Sequence, residues 1–182
     1  MSTELENQVK ILEQQIKALQ GNQQKDQLSI IVFSGDLDKV LASMIIATGA
    51  RAMDMEVRMF FTFWGTAMLR DKKKNVSGKD FMSKMFGVML PKGSTKLKLS
   101  KMNMAGMGTS MMKGLMKKKN VASLEELIKT ADELGVEINI CQMSMDLMGF
   151  KKEEMINYSH LSYVGVGTYL SDASESRIQL FI

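Results

Sequence analysis

A chain of 182 residues is long enough for one domain with a proper core plus a short accessory segment, and too short for two full domains. Its 45% apolar and 24% charged residues argue against disorder, and its one cysteine, Cys141, excludes an internal disulfide and a CxxC redox pair. With one histidine, His160, an ordinary zinc site is excluded as well.

The net charge of +4 conceals an asymmetry, because residues 70–119 hold 14 Lys/Arg against 2 Asp/Glu while the remainder holds 10 against 18. Such a block marks either a surface that meets an anionic partner or a solvated face. No uncharged apolar run approaches the roughly 18 residues that span a bilayer, and MSTELENQVK lacks the basic start and apolar core of a secretory signal. A cytoplasmic location is therefore expected.

Leu5, Val9, Leu12, Ile16 and Leu19 recur at the spacing of a coiled-coil seam. Fewer than three heptads are marginal alone, so residues 1–24 are expected to form a coiled-coil helix and linker that self-associate or lie on the main domain. The run LSIIVFS at 28–34 predicts a buried parallel strand. Asp36 then caps a helix carrying Leu37, Val40, Leu41, Met44 and Ile45 on one face. Alternation over 55–63 predicts a second strand, with Trp64-Gly65-Thr66 as the loop at its carboxyl end.

In the basic stretch, short helices are predicted near 79–89 and 103–118, around a loop containing Pro91 and Gly93. Ser123 and Glu126 form a capping box for a helix closed by Gly135. Val136, Ile138 and Ile140 predict a third strand, 161–166 a fourth and 177–182 a fifth. Strands alternating with helices imply an α/β domain over 25–182, with a parallel sheet covered on both faces.

Reactive groups in such sheets gather at the carboxyl ends of the strands. That places Ser34-Gly35-Asp36, Trp64-Gly65-Thr66 and Cys141-Gln142 together as candidates. Cys141 ends the run VEINIC, and QMSMDLMG after it could start a helix whose N–H groups favour a thiolate; the bland reading is a small core hydrophobe. Gly106-Met107-Gly108 lacks the third glycine of a dinucleotide loop and no strand precedes it.

Nine of the 19 methionines lie between 82 and 116. Met102, Met104, Met107, Met111 and Met112 are dense enough to suggest Cu(I), but an adaptable apolar stripe is the commoner meaning of that spacing.

Several stretches resemble the DsrE/DsrF-like proteins, in the Met-rich branch often labelled peroxiredoxin-like. They are SGDLDK at 34–39, KMNMAGMGTSMM at 101–112, GVEINICQMSMDLMGF at 135–150, YVGVGTYL at 163–170 and the closing LFI. The resemblance implies a flavodoxin-like sheet, homo-oligomers, and a persulfide on Cys141 that passes sulfane sulfur to or from small TusA-like or rhodanese-like carriers. The peroxiredoxin label supplies no mechanism, since no peroxidase constellation is recognisable.

On this reading Cys141 is the reacting residue, Ser34, Gly35 and Gln142 are candidates to hold the anionic sulfur, and no metal, cofactor or nucleic acid is called for. The protein would be a sulfurtransferase-like carrier. The alternatives are a non-catalytic assembly module in which Cys141 is merely buried, and a small-ligand or Cu(I)-binding protein. The basic, Met-rich segment is expected to dock an acidic thiol-bearing protein, with an anionic membrane surface as the runner-up.

Overall fold

The computed structural model describes residues 7–15 and 24–182. Five strands form an all-parallel sheet: β1 (Lys25–Val32), β2 (Glu56–Phe61), β3 (Glu137–Cys141), β4 (Leu161–Val164) and β5 (Ser176–Phe181), in the order β4-β3-β2-β1-β5. Ile30 sits opposite Met59 on one side and Leu180 on the other, and Ile138 sits opposite Met59 and Leu161. Strand alternation sends Ile30, Val32, Met59, Phe61, Ile138 and Ile140 to one face, where all are fully buried.

Against that face pack α1 (Leu37–Ala52) and α4 (Leu124–Glu133), through Val40, Met44 and Ala47 on the first and Leu127 and Ala131 on the second. α4 starts at the expected capping box, in which Ser123 and Glu126 satisfy each other's backbone N–H groups. Asp36 precedes α1 without capping it. Its carboxylate instead accepts the Ser34 hydroxyl at 2.9 Å and pairs with Lys39 at 3.0 Å.

The opposite face carries one helix that the pattern does not announce, α6 (Val166–Glu175). Its sequence VGTYLSDASE mixes glycine, serine and β-branched residues, which are weak helix formers. Its docked side is also largely polar. Gln27 Nε2 donates to the Asp172 carbonyl and to Ser176 Oγ, Ser29 and Ser176 share a hydrogen bond of 2.7 Å, and Arg58 pairs with Asp172 at 2.5 Å. The Phe60 and Tyr169 rings stack 5.4 Å apart beside them. The result is the flavodoxin-like layering expected, with helices on both faces.

The basic stretch forms α2 (Phe81–Met89) and α3 (Met107–Lys118). α3 begins four residues later than the spacing predicts, because Asn103 holds a tight turn ahead of it. Asn103 accepts the Thr109 hydroxyl at 2.8 Å, and its carbonyl accepts the Gly106 and Gly108 N–H groups. Met102, Met104 and Ala105 all adopt positive φ there (57°, 45° and 54°), at a cost of roughly 1 kcal/mol or more each.

α2 buries none of its side chains. It is tied down by Arg70, whose guanidinium donates to the Gly87 carbonyl and to Glu154 Oε2 at 3.4 Å, while Lys79 reaches the other Glu154 oxygen. Phe150 lies under Arg70, 4.6 Å from its guanidinium carbon. Burial lowers the proton affinity of Arg70 below its ordinary value, against the pull of Glu154.

Residues 7–15 are helical and exposed throughout, Val9 and Leu12 among them; Leu5, Ile16 and Leu19 lie outside the described residues. Among the described residues no helix is long and apolar enough to cross a membrane.

Candidate functional site

Cys141 is the last residue of β3 and the residue immediately before the short helix α5 (Gln142–Met148). Alternation turns its side chain away from the face of Ile140, so it stands outside the main apolar cluster although the residue is only 3% exposed. The surroundings of the sulfur are polar. They comprise the hydroxyls of Ser144 and Thr62 and the N–H groups of Ser144 and Met143. Burial pushes the thiol up, but these donors outweigh it and leave the pKa of Cys141 below its ordinary value.

Two elements arrange that shell. Thr62 directly follows β2, whose last residue Phe61 lies opposite Ile140 of β3, and its hydroxyl lies 2.9 Å from Ser144 Oγ. Ser144 Oγ also accepts the Phe63 N–H at 3.0 Å, which fixes the hydroxyl in place and leaves its own proton for Thr62 or for the sulfur. If Ser144 supplies that proton to a thiolate, Ser144→Ala is expected to shift the pH midpoint of Cys141 alkylation upward. Thiolate is the form present above the midpoint, so the variant should react more slowly near neutral pH and match the native protein at alkaline pH. An unmoved midpoint in iodoacetamide kinetics would remove Ser144 from the role.

Of the other predicted candidates, Gln142 directly follows Cys141 in the chain, and Ser34 and Gly35 lie just past the end of β1. Ser34 is committed to Asp36 through its hydroxyl, and Gln142 Nε2 donates to Asp146 at 2.9 Å. Neither makes a hydrogen bond to Cys141. Ser34 and Gly35 instead line a neighbouring cleft of about 620 Å³, together with Trp64, Lys92, Lys96 and Lys98. The loops after β1 and β2 meet there backbone to backbone. A Cβ on Gly35 would sit 2.8 Å from the Trp64 carbonyl oxygen, and one on Gly65 would sit 2.3 Å from that of Val32.

A cavity of about 660 Å³ lies between α3 and the start of α4, with Leu37 also in its lining. Among the described residues no three His, Cys, Asp or Glu side chains gather where they could hold a metal ion.

Thr62 and Ser144 were not singled out by sequence reasoning. Ser144 had a signal, because Cys-x-x-Ser places a hydroxyl one helical turn beyond a residue that begins a helix. Thr62 had none, since only the pairing of β2 with β3 brings it to Cys141.

A doubly covered parallel sheet with one thiol at a strand end defines a class of α/β proteins that the sequence comparison narrows to one family. The DsrE/DsrF/DrsH-like family profile matches residues 24–181, and the chain belongs to that family. It is 48% identical over 160 residues to the uncharacterised protein YrkE of Bacillus subtilis, covering 88% of this chain and 99% of that one. It is 37% identical over 163 residues to the sulfur carrier protein DsrE2 of Allochromatium vinosum, covering 87% and 99%. The crystal structure of the ychN protein from E. coli shares the fold at a TM-score of 0.51 and 9% identity, over 87% of this chain and 99% of that chain. Family and homologue together assign the protein a sulfur-transfer role in general terms.

Proposed function

We propose that the protein carries one sulfane sulfur as a persulfide on Cys141 and passes it between thiol partners. The observation that carries this reading is the polar shell around a solitary thiol, which favours the anion despite burial. The Cys141 thiolate attacks the outer sulfur of a donor persulfide. A new S–S bond forms, the donor's own S–S bond breaks, and its electron pair leaves with the donor thiolate. An acceptor thiolate then attacks the outer sulfur and releases Cys141 as the thiolate. The exchange is redox-neutral.

Small thiol-bearing carrier proteins fit as partners, TusA-like or rhodanese-like ones among them. The docking side is the basic stretch, where Met102, Met104, Met107 and Met111 are each more than 60% exposed among lysines. Gain of one sulfur in the intact mass of the native protein after polysulfide treatment, followed by its loss to an added thiol, tests the reading. No gain would end it.

Self-association through residues 1–24 belongs to the same proposal, supported by a helix over 7–15 whose seam residues Val9 and Leu12 face solvent. Deleting residues 1–23 is expected to lower the number of chains per assembly measured by light scattering and to leave the sheet's thermal transition in place. An unchanged assembly number would count against it.

A further inference from the structure

The cleft between the β1 and β2 loops carries a charge arrangement that the persulfide chemistry on Cys141 does not use. Lys92, Lys96 and Lys98 line it, and none of them meets a carboxylate among the described residues. Lys92 spends two of its three ammonium donors on the Lys74 carbonyl and Asn75 Oδ1, at 2.6 Å each, and keeps one. The one acid in the lining, Asp36, is already paired with Lys39. The rest of the lining is largely apolar: Trp64 is 45% exposed, and Val88, Met89, Leu90 and Pro91 join it.

A volume of about 620 Å³ lies within the range of small-molecule sites, roughly 300–1,000 Å³, and far exceeds what a single inorganic anion needs. Cations without a carboxylate partner in a cleft that also has aromatic and aliphatic lining select an organic anion with an apolar body. The larger cavity beside α3 lacks this bias, because Glu125 and Glu126 line it and Lys113 is bound to the Thr95 carbonyl.

The cleft is also close to the thiol along the chain. Thr62, whose hydroxyl is beside the sulfur, is two residues from Trp64, a Cα path of at most about 7 Å. α2, which lines the cleft with Gly87, Val88 and Met89, packs on α5, the helix that starts after Cys141. Cys141 does not itself line the cleft and is only 3% exposed, so a molecule seated on Trp64 with its charge on the lysines has to reach the sulfur past the residues between Thr62 and Trp64.

We infer that this cleft binds a low-molecular-weight organic anion carrying the sulfur that Cys141 exchanges, so that small anionic thiols serve the site directly. The inference rests on the persulfide reading of Cys141 and adds the class of its small-molecule partner. Cys141–S⁻ attacks the outer sulfur of R–S–SH, giving Cys141–S–SH and R–S⁻, with R bearing the negative charge that the lysines hold.

Two aromatic disulfides separate the elements of the claim, the dianionic bis(nitrobenzoate) disulfide and the neutral dipyridyl disulfide. Each is attacked by the Cys141 thiolate to give a mixed disulfide and one aryl thiolate. The ratio of the two rate constants, anionic over neutral, is expected to fall roughly tenfold in the double variant Lys96→Gln, Lys98→Gln, as it should at high salt. An unchanged ratio overturns the cleft's role.

Trp64 is the only tryptophan, so its fluorescence reports on the cleft alone. In the Cys141→Ser protein, the free nitrobenzoate thiolate is expected to quench Trp64, and the two lysine substitutions should abolish the quenching. Absence of quenching overturns the inference. If the native protein reacts with neither disulfide while the quenching is seen, the cleft stands as an anion site and the persulfide reading of Cys141 is what fails.

Discussion

Replacing Cys141 by serine is expected to abolish the gain of sulfur in the intact mass after polysulfide treatment, an all-or-none effect because no second thiol exists in the chain. The substitution exchanges sulfur for oxygen at a position already surrounded by hydroxyl and N–H groups, so the new hydroxyl meets partners and not hydrocarbon. Stability should therefore change by no more than about 1 kcal/mol, within the common range for single substitutions, and denaturant unfolding would show it. Equal mass gain in both proteins would place the sulfur elsewhere, on a non-covalent site or as an adduct of another side chain.

The second large effect concerns folding. Glu154 is 2% exposed and, among the described residues, is the one carboxylate facing two buried cations, Arg70 and Lys79. It also accepts the Lys151 N–H at 3.1 Å, so both its oxygens are engaged. Glu154→Ala leaves two positive charges unpaired in a low-dielectric site, and breaking a buried pair by removing one partner costs about 3–5 kcal/mol. Against a total stability of roughly 5–15 kcal/mol, that is a large fraction. Urea unfolding measures it, and a loss below about 1 kcal/mol would show that the cluster is open to water. Because α2 is held by Arg70 at Gly87 and not by buried side chains of its own, the loosened part should be α2 and the cleft it lines.

What could be read from the sequence follows how local each signal is. The apolar run of β1, the alternation of β2 and the capping box of α4 each lie within a few residues, and all three elements appear where the pattern puts them. The same holds for Cys141 at the end of β3 with a helix after it. α6 lacks an announcing pattern because its Asp172 docks on Gln27, Arg58 and Ser176, so no apolar stripe marks it. Ser34, Gly35 and Cys141 all lie at the carboxyl ends of their strands, but that edge is wide enough to hold two places. Which hydroxyl stands by the sulfur was decided by strand register, which brings Thr62 to Cys141 and leaves Ser34 with Asp36. No short-range pattern encodes that.

The strand order has a consequence for the order of events during synthesis. β1 is the first strand of the sheet and β5 the last, yet they are neighbours, with Ile31 opposite Phe181. While the ribosome is still adding residues 166–182, β1 can pair with β2 but its other edge shows a row of unsatisfied N–H and C=O groups, flanked by Ile31 and Phe33. A long-range closure of that kind is slow, and an open parallel edge invites pairing with another nascent chain. The polar floor beneath α6 and the charges at the start of β1, Lys25 and Asp26, paired respectively with Glu175 at the end of α6 and Arg177 in β5, are suited to that interval: each is a polar group that water can solvate until α6 and β5 dock and supply its partner.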